Sequence, residues 1–374
     1  MTIASLQIGA QSSILNVADS LYINGNYTKS IEAYKKHPDS SQVFDKIAKA
    51  YQAIGNYELA LGNYKKSIEA YPDNALLKYD YAKLLAKTKN YNAASVMFYK
   101  LIDIDYRNPN YHYELGVVLE HLKDSTAQNR FYSAFQLDST HQKAIFRMVR
   151  KHVQKRRYKS ANRFADIGLR SYKTNKDLIS LKAQNYYNKK DYDNAVVWFE
   201  KLIALNESTQ FIHERLSMSY AQIYEFEKAI DQGLQALEYD PKNVNNLFIQ
   251  GELYERMNDF ENAEKYMLKS LLLQDQALDK EYVKLGAVYN RQKKYKESIE
   301  VYKRAVDENP ENEGAQFFLI YTKDQYYKDI DTRIKLYETY KEKFPKSEYS
   351  VMANYRITRL KEERFTKKDS IKGN

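Results

Sequence analysis

Along most of this chain an aromatic residue, two variable positions and a small residue recur in nearly constant phase. The instances are Tyr27…Ser30, Tyr57…Ala60, Tyr91…Ala94, Tyr158…Ala161, Tyr192…Ala195, Phe226…Ala229, Phe260…Ala263 and Tyr295…Ser298. Successive aromatics are 30, 34, 67, 34, 34, 34 and 35 residues apart; the interval of 67 holds one weak copy, in which Ala127 follows a turn shortened by one residue. A second series of small residues, Ala18, Ala48, Ala82, Gly116, Ala183, Ser217, Gly251 and Gly286, runs nine positions ahead of the first, Gly116 serving the weak copy. Large residues follow at fixed offsets: Leu21, Tyr51, Leu85, Leu119, Tyr186, Tyr220, Tyr254 and Tyr289 after the second series, and Tyr64, Phe98, Phe199, Met267 and Tyr302 after the first. Offsets of three and four put these groups on one helix face, so each period predicts a helix of about 13 residues, a tight turn and a second helix of similar length. Gly25-Asn26-Tyr27, Gly55-Asn56-Tyr57, Lys190-Asp191-Tyr192 and Asn258-Asp259-Phe260 supply the turns. Pro72, Pro241, Pro310 and Pro345 fall after the second helix or at the start of the next, where a missing N–H costs little.

Small residues where two helices cross let the backbones approach, and the aromatic fills the wedge between them. One helix pair cannot cover its own apolar face, so each copy must stack on the next. The pattern resembles the tetratricopeptide repeat, over roughly residues 11–345 and in about ten copies. The resemblance implies an all-α, right-handed superhelical solenoid of antiparallel helix pairs, behaving as one elongated domain, in which the first helix of each unit lines a concave groove. Residues 346–364 are then expected to form a capping helix and 365–374 a disordered polar tail. Residues 1–10 read as the remnant of a signal peptide or a disordered N-terminus, being mildly apolar and ending in small residues. Two units depart from the pattern: Val149 stands where a small residue is expected, and Tyr321 and Arg333 occupy repeat positions in the tenth copy. The ending Phe344-Pro345-Lys346-Ser347 followed by a helix resembles repeat proteins of bacterial cell envelopes, which favours the periplasm or envelope over the cytoplasm.

Composition agrees with helices joined by short turns: 374 residues contain only 6 Pro and 11 Gly. Mean hydropathy is −0.73, an apolar interior diluted by a strongly polar surface. With no cysteine there is no disulfide framework, thiolate metal site or Cys nucleophile. The six histidines, His37, His112, His121, His141, His152 and His213, include no pair at i,i+3 or i,i+4, and no Gly-rich phosphate loop occurs. His152 is expected to pack between helices. Acidic residues scatter over helix surfaces with no pair whose surroundings would separate their pKa values. The chain therefore reads as no enzyme, with no metal or cofactor.

Charge adds the functional clue. Between Lys143 and Lys176 stand twelve Lys or Arg residues and one acid, Asp166, giving +11 in a chain of net charge +10. By the resemblance, Lys143, Phe146, Arg147, Arg150 and Gln154 face the groove; Lys155, Arg156, Arg157 and Lys159 sit on a rim; and Tyr79, Lys83 and Tyr113 continue the groove through the two preceding units. Tyr79, Tyr113 and Phe146 occupy equivalent places, an aromatic ladder beside cations. Such a surface suits an acidic peptide or partner protein, because Arg offers forked donors to carboxylates and rings pack at low entropic cost. The family's carboxylate clamp is matched only in part, by Lys143 and Arg147, since Glu114, Tyr79 and Lys83 replace its Asn and Lys. The reading is a non-catalytic interaction scaffold or adaptor. The alternatives are a nucleic-acid-binding repeat protein using 143–176 and a basic face that is only solvated.

Overall fold

The computed structural model describes residues 14–273 and 278–372, with the backbone alone for 367–372. The expectation for residues 1–10, like the last two residues of the chain, lies outside that range. Among the described residues there are helices and turns and no strand. The helices come as pairs: 14–23 with Tyr27–Tyr34, Phe44–Ala53 with Tyr57–Ala70, Ala75–Lys87 with Tyr91–Ile104, Pro109–His121 with Ala127–Leu137, and Gln142–Gln154 with Tyr158–Ser171. Lys176–Asn188 and Tyr192–Ala204 follow, and then the pairs Gln210–Gln222 with Phe226–Tyr239, Val244–Arg256 with Phe260–Leu271, Asp279–Arg291 with Tyr295–Glu308, and Glu313–Tyr326 with Ile330–Lys343. A last helix runs Tyr349–Lys372, beyond the boundary expected at 364. The fold is an all-α solenoid of helix pairs. The contacts group into two compact units that divide between Asn185 and Tyr186. Within each unit the helices pack, among the described residues, mainly on their sequence neighbours, as stacked repeats do.

Local sequence fixes the helix ends. Asn74 Oδ1 accepts from the N–H groups of Leu76 and Leu77, Asn243 from Asn246, Asn312 from Ala315 and Asp329 from Thr332, each supplying an orphan donor with a partner. Pro109 occupies the first turn of its helix. In the first nine repeats, but not the tenth, the turn between the first and second helix passes through one left-handed residue. In the second repeat Gly55 (φ 83°) donates to Gln52 O while Asn56 donates to Tyr51 O; Lys89 (φ 63°) and Asn90 repeat this toward Ala86 and Leu85.

The core is built on size complementarity. Ala48, Ala60, Ala82, Ala94, Ala195 and Ala229 are completely buried. A β-carbon on Gly116 would stand 2.7 Å from the Phe131 ring, one on Gly251 2.5 Å from Met267, and one on Gly286 2.7 Å from Tyr302. The small residue of the first helix thus makes room for the large one of the second. The fifth repeat inverts the arrangement. Val149 takes the small position and is completely buried, and Ala165, also completely buried, stands where Phe131, Phe199 and Tyr302 stand elsewhere. The departure at Val149 is therefore matched by a second departure on the facing helix. His152 stacks on Phe164, ring centroids 5.4 Å apart.

The tenth repeat has its own explanation. Arg333 Nε donates to Asp324, a carboxylate with no exposed side-chain surface. Asp324 also accepts from Arg356 Nε at 2.7 Å and from the Tyr337 hydroxyl at 3.1 Å. Burial by itself would raise this carboxyl; hydrogen bonds from Arg356 and Arg333 and their charges outweigh it and hold it below the usual carboxylate range. Arg356 lies on the terminal helix, so the ion cluster ties that helix to the last repeat.

Candidate functional site

The residues singled out for the groove lie on the first helices of the third, fourth and fifth repeats, all within the first unit. Tyr79 is half-buried, its ring 5.5 Å from Tyr111 and 6.2 Å from Phe98, and its hydroxyl lies 3.5 Å from Glu114 Oε1. Burial, with Glu114 beside it, pushes that hydroxyl up to about 12. The exposed Lys83 sets its ammonium 5.4 Å over the Tyr79 ring. It also lines a cleft of about 560 Å³ with Lys49, Gln52, Tyr64, Asp80 and Lys87. Tyr113 packs against Phe131 at 5.9 Å and His141 at 5.2 Å. Phe146 is half-buried under the Arg150 guanidinium at 5.8 Å. These rings serve as much to join repeats as to face solvent.

Two carboxylates organise the cations. Burial raises the Glu114 carboxyl above its usual range, against the charges of Lys83 and Lys143, the Tyr79 hydroxyl and the charge of Arg147. Glu120 holds Arg147 (Nη1–Oε2 2.7 Å) and Arg150 (Nη2–Oε1 3.0 Å), one oxygen to each arginine. The structure therefore draws Tyr79, Lys83, Lys143 and Arg147 together around Glu114, and Arg147 and Arg150 around Glu120. Gln154, exposed, joins neither group among the described residues.

Glu120 is the member of this candidate site that sequence reasoning missed. It precedes its partners by 27 and 30 residues, close to one period, so an acid near the end of one first helix was a detectable signal. Of the rest of the basic segment, Asp166 pairs with the buried Lys182, while Lys143, Lys151, Lys155, Arg156, Arg157 and Lys159 form no ion pair among the described residues.

The second unit has a cleft of about 450 Å³ between the first helices of its repeats, lined by Arg215, Met218, Asn243, Asn245, Phe248 and Ile249. Arg215 lies 4.9 Å from the Tyr187 ring centroid and 5.3 Å from that of Phe211. Among the described residues no group of three or more His, Asp and Glu could hold a metal ion, and no helix is long and apolar enough to cross a membrane.

Sequence models of the tetratricopeptide repeat match residues 51–113, 177–209, 244–276 and 282–312. No curated protein sequence matches the chain. Among solved structures, the C-terminal part of a TPR repeat-containing protein from Cytophaga hutchinsonii aligns over 64% of this chain and 99% of its own, with TM-score 0.52 and 19% identity. YrrB, described as a TPR protein with an unusual peptide-binding site, aligns over 50% of this chain and 95% of its own (TM-score 0.46, 16% identity). Yeast Tom70 aligns over 98% of both chains (TM-score 0.39, 14% identity). A chain whose repeats match those models belongs to the tetratricopeptide-repeat family, whose fold serves in general as a non-catalytic scaffold for protein interaction.

Proposed function

We propose that the chain is an adaptor whose first unit holds an acidic segment of a partner protein against the first helices of its third to fifth repeats. The observation that supports this reading is the gathering of Lys83, Lys143, Arg147 and Arg150 about two carboxylates, Glu114 and Glu120. Glu120 already spans two guanidinium groups, which is the geometry a carboxylate of the partner would adopt. On this reading Glu120 is an internal competitor that keeps both arginines oriented and soluble until a ligand displaces it.

Glu120→Gln is therefore expected to strengthen binding of an Asp/Glu-rich peptide by roughly tenfold, the equivalent of one charge-assisted hydrogen bond regained. Lys83→Ala with Lys143→Ala is expected to weaken it. Isothermal titration of the three proteins checks both signs. Equal affinities throughout would remove the groove assignment. Retardation of an oligonucleotide with a log–log salt slope of several units, and no peptide binding, would favour nucleic acid instead.

A further inference from the structure

One edge of the first unit, made by the turns that join first to second helices, carries chemistry that the groove does not use. In the first two repeats the left-handed residue of this turn is Gly25 (φ 76°) and Gly55 (φ 83°). In the next three repeats the same place holds Lys89 (φ 63°), Lys123 (φ 58°) and Arg156 (φ 53°). A β-carbon is disfavoured there and glycine is not. These repeats thus put a long cation where the backbone would be relaxed without one; the next four repeats hold Lys190, Tyr224, Asn258 and Lys293 at the same place, so this edge is set apart by its unbroken run of cations rather than by the strain. Lys87 stands near Lys89, and Lys155 and Arg157 flank Arg156, making six cations with Lys123. All six are exposed, and none is in an ion pair among the described residues. The acids of these turns are Glu58 and Asp124, and Asp124 is occupied by the Thr126 N–H and hydroxyl.

A second, independent feature shares the edge. Ile23 is 81% exposed, Ile54 45% and Leu122 36%, and each stands one or two residues before the left-handed position of its turn. In stacked antiparallel pairs these turns fall at one end of the helices, so aliphatic tips and cations lie along the same margin.

We propose that this margin seats on an anionic lipid bilayer, the cations against headgroup phosphates and the aliphatic tips in the headgroup–acyl boundary. Electrostatic attraction together with inserted apolar surface is the combination that interfacial attachment requires. A nucleic acid has no use for aliphatic tips and would seek open rings. The rings nearest these turns are engaged, Tyr91 stacked on His121 at 4.6 Å and Tyr57 under Lys87 at 4.8 Å.

The test uses the full chain with phosphatidylcholine vesicles, with and without phosphatidylglycerol, read by co-sedimentation. Binding is expected only with phosphatidylglycerol. In the combined variant Lys89→Gly, Lys123→Gly and Arg156→Gly it is expected to fall roughly a hundredfold, from about fivefold per cation at a charged surface. Because glycine relaxes the three turns, helicity and thermal stability should be kept or improved, which separates lost binding from lost folding. Ile23→Ser with Ile54→Ser should weaken the binding that survives in high salt, where charge attraction is screened. Acidic-peptide binding in the groove should not change in either variant. Equal binding to both vesicle types, or undiminished binding by the triple variant, overturns the proposal. So does stronger capture of a single-stranded oligonucleotide that the same variant abolishes.

Discussion

Asp324→Ala is expected to destabilise the C-terminal repeats by about 3–5 kcal/mol, the cost of leaving a buried charge cluster without its counter-ion. The carboxylate has no exposed surface, and Arg333 is only 12% exposed, so water cannot replace it as a partner. Arg356, 31% exposed, can turn outward, and the terminal helix would then loosen from the last repeat. Asp324→Asn keeps the shape and removes the charge, and should fall between wild type and Ala. Urea unfolding followed by circular dichroism, with hydrogen exchange to locate the loss, measures both. Wild-type stability in the Ala variant would show that the cluster is not holding the cap. The pH dependence has a definite sign. Because the folded carboxyl lies below its ordinary range, its contribution is present above the unfolded pKa, about 3.9, and is lost as pH falls through the folded value. Wild type should therefore lose stability on acidification to a greater degree than Asp324→Asn.

Ala165→Phe is expected to cost about 1–3 kcal/mol by overpacking the fifth repeat, because Val149 already fills the space that Gly116 leaves for Phe131 one repeat earlier. Val149→Gly alone should also destabilise, through a cavity and a more flexible helix backbone. Together they recreate the arrangement of the fourth repeat, and the double variant should be more stable than the two single losses predict. Thermal or urea unfolding of the four proteins gives the coupling energy directly. Strict additivity would mean that Val149 and Ala165 do not share a space. This cycle tests the packing rule where the sequence breaks it, a harder case than any regular repeat.

Much of the fold was legible because the information that specifies it is one-dimensional. A small residue, a turn and a large residue at fixed spacing mark a helix crossing, and stacking couples only neighbours. The pairing of helices and the burial of Ala60, Ala94, Ala195 and Ala229 follow from that spacing. The candidate groove was legible only as a set of positions. Tyr79, Lys83, Tyr113, Lys143, Phe146, Arg147 and Arg150 do lie on the first helices of successive repeats, but nothing in their spacing said that Glu120 would take both arginines or that Glu114 would sit among the lysines. Val149 and Arg333 looked like faults for the same reason, since each is answered by a residue elsewhere, Ala165 and Asp324.

By itself, then, the sequence determined the helical repeat, its phase and the places where backbones approach, since side-chain size at regular intervals leaves little choice of packing. The tertiary structure decided which charges are spent on one another and which face solvent. A long flexible side chain can reach several acids on an adjoining helix, and only the relative placement of the helices selects one. It also decided that odd residues in neighbouring helices are paired, because compensation of volume or charge is a property of two surfaces in contact rather than of either strand of sequence alone.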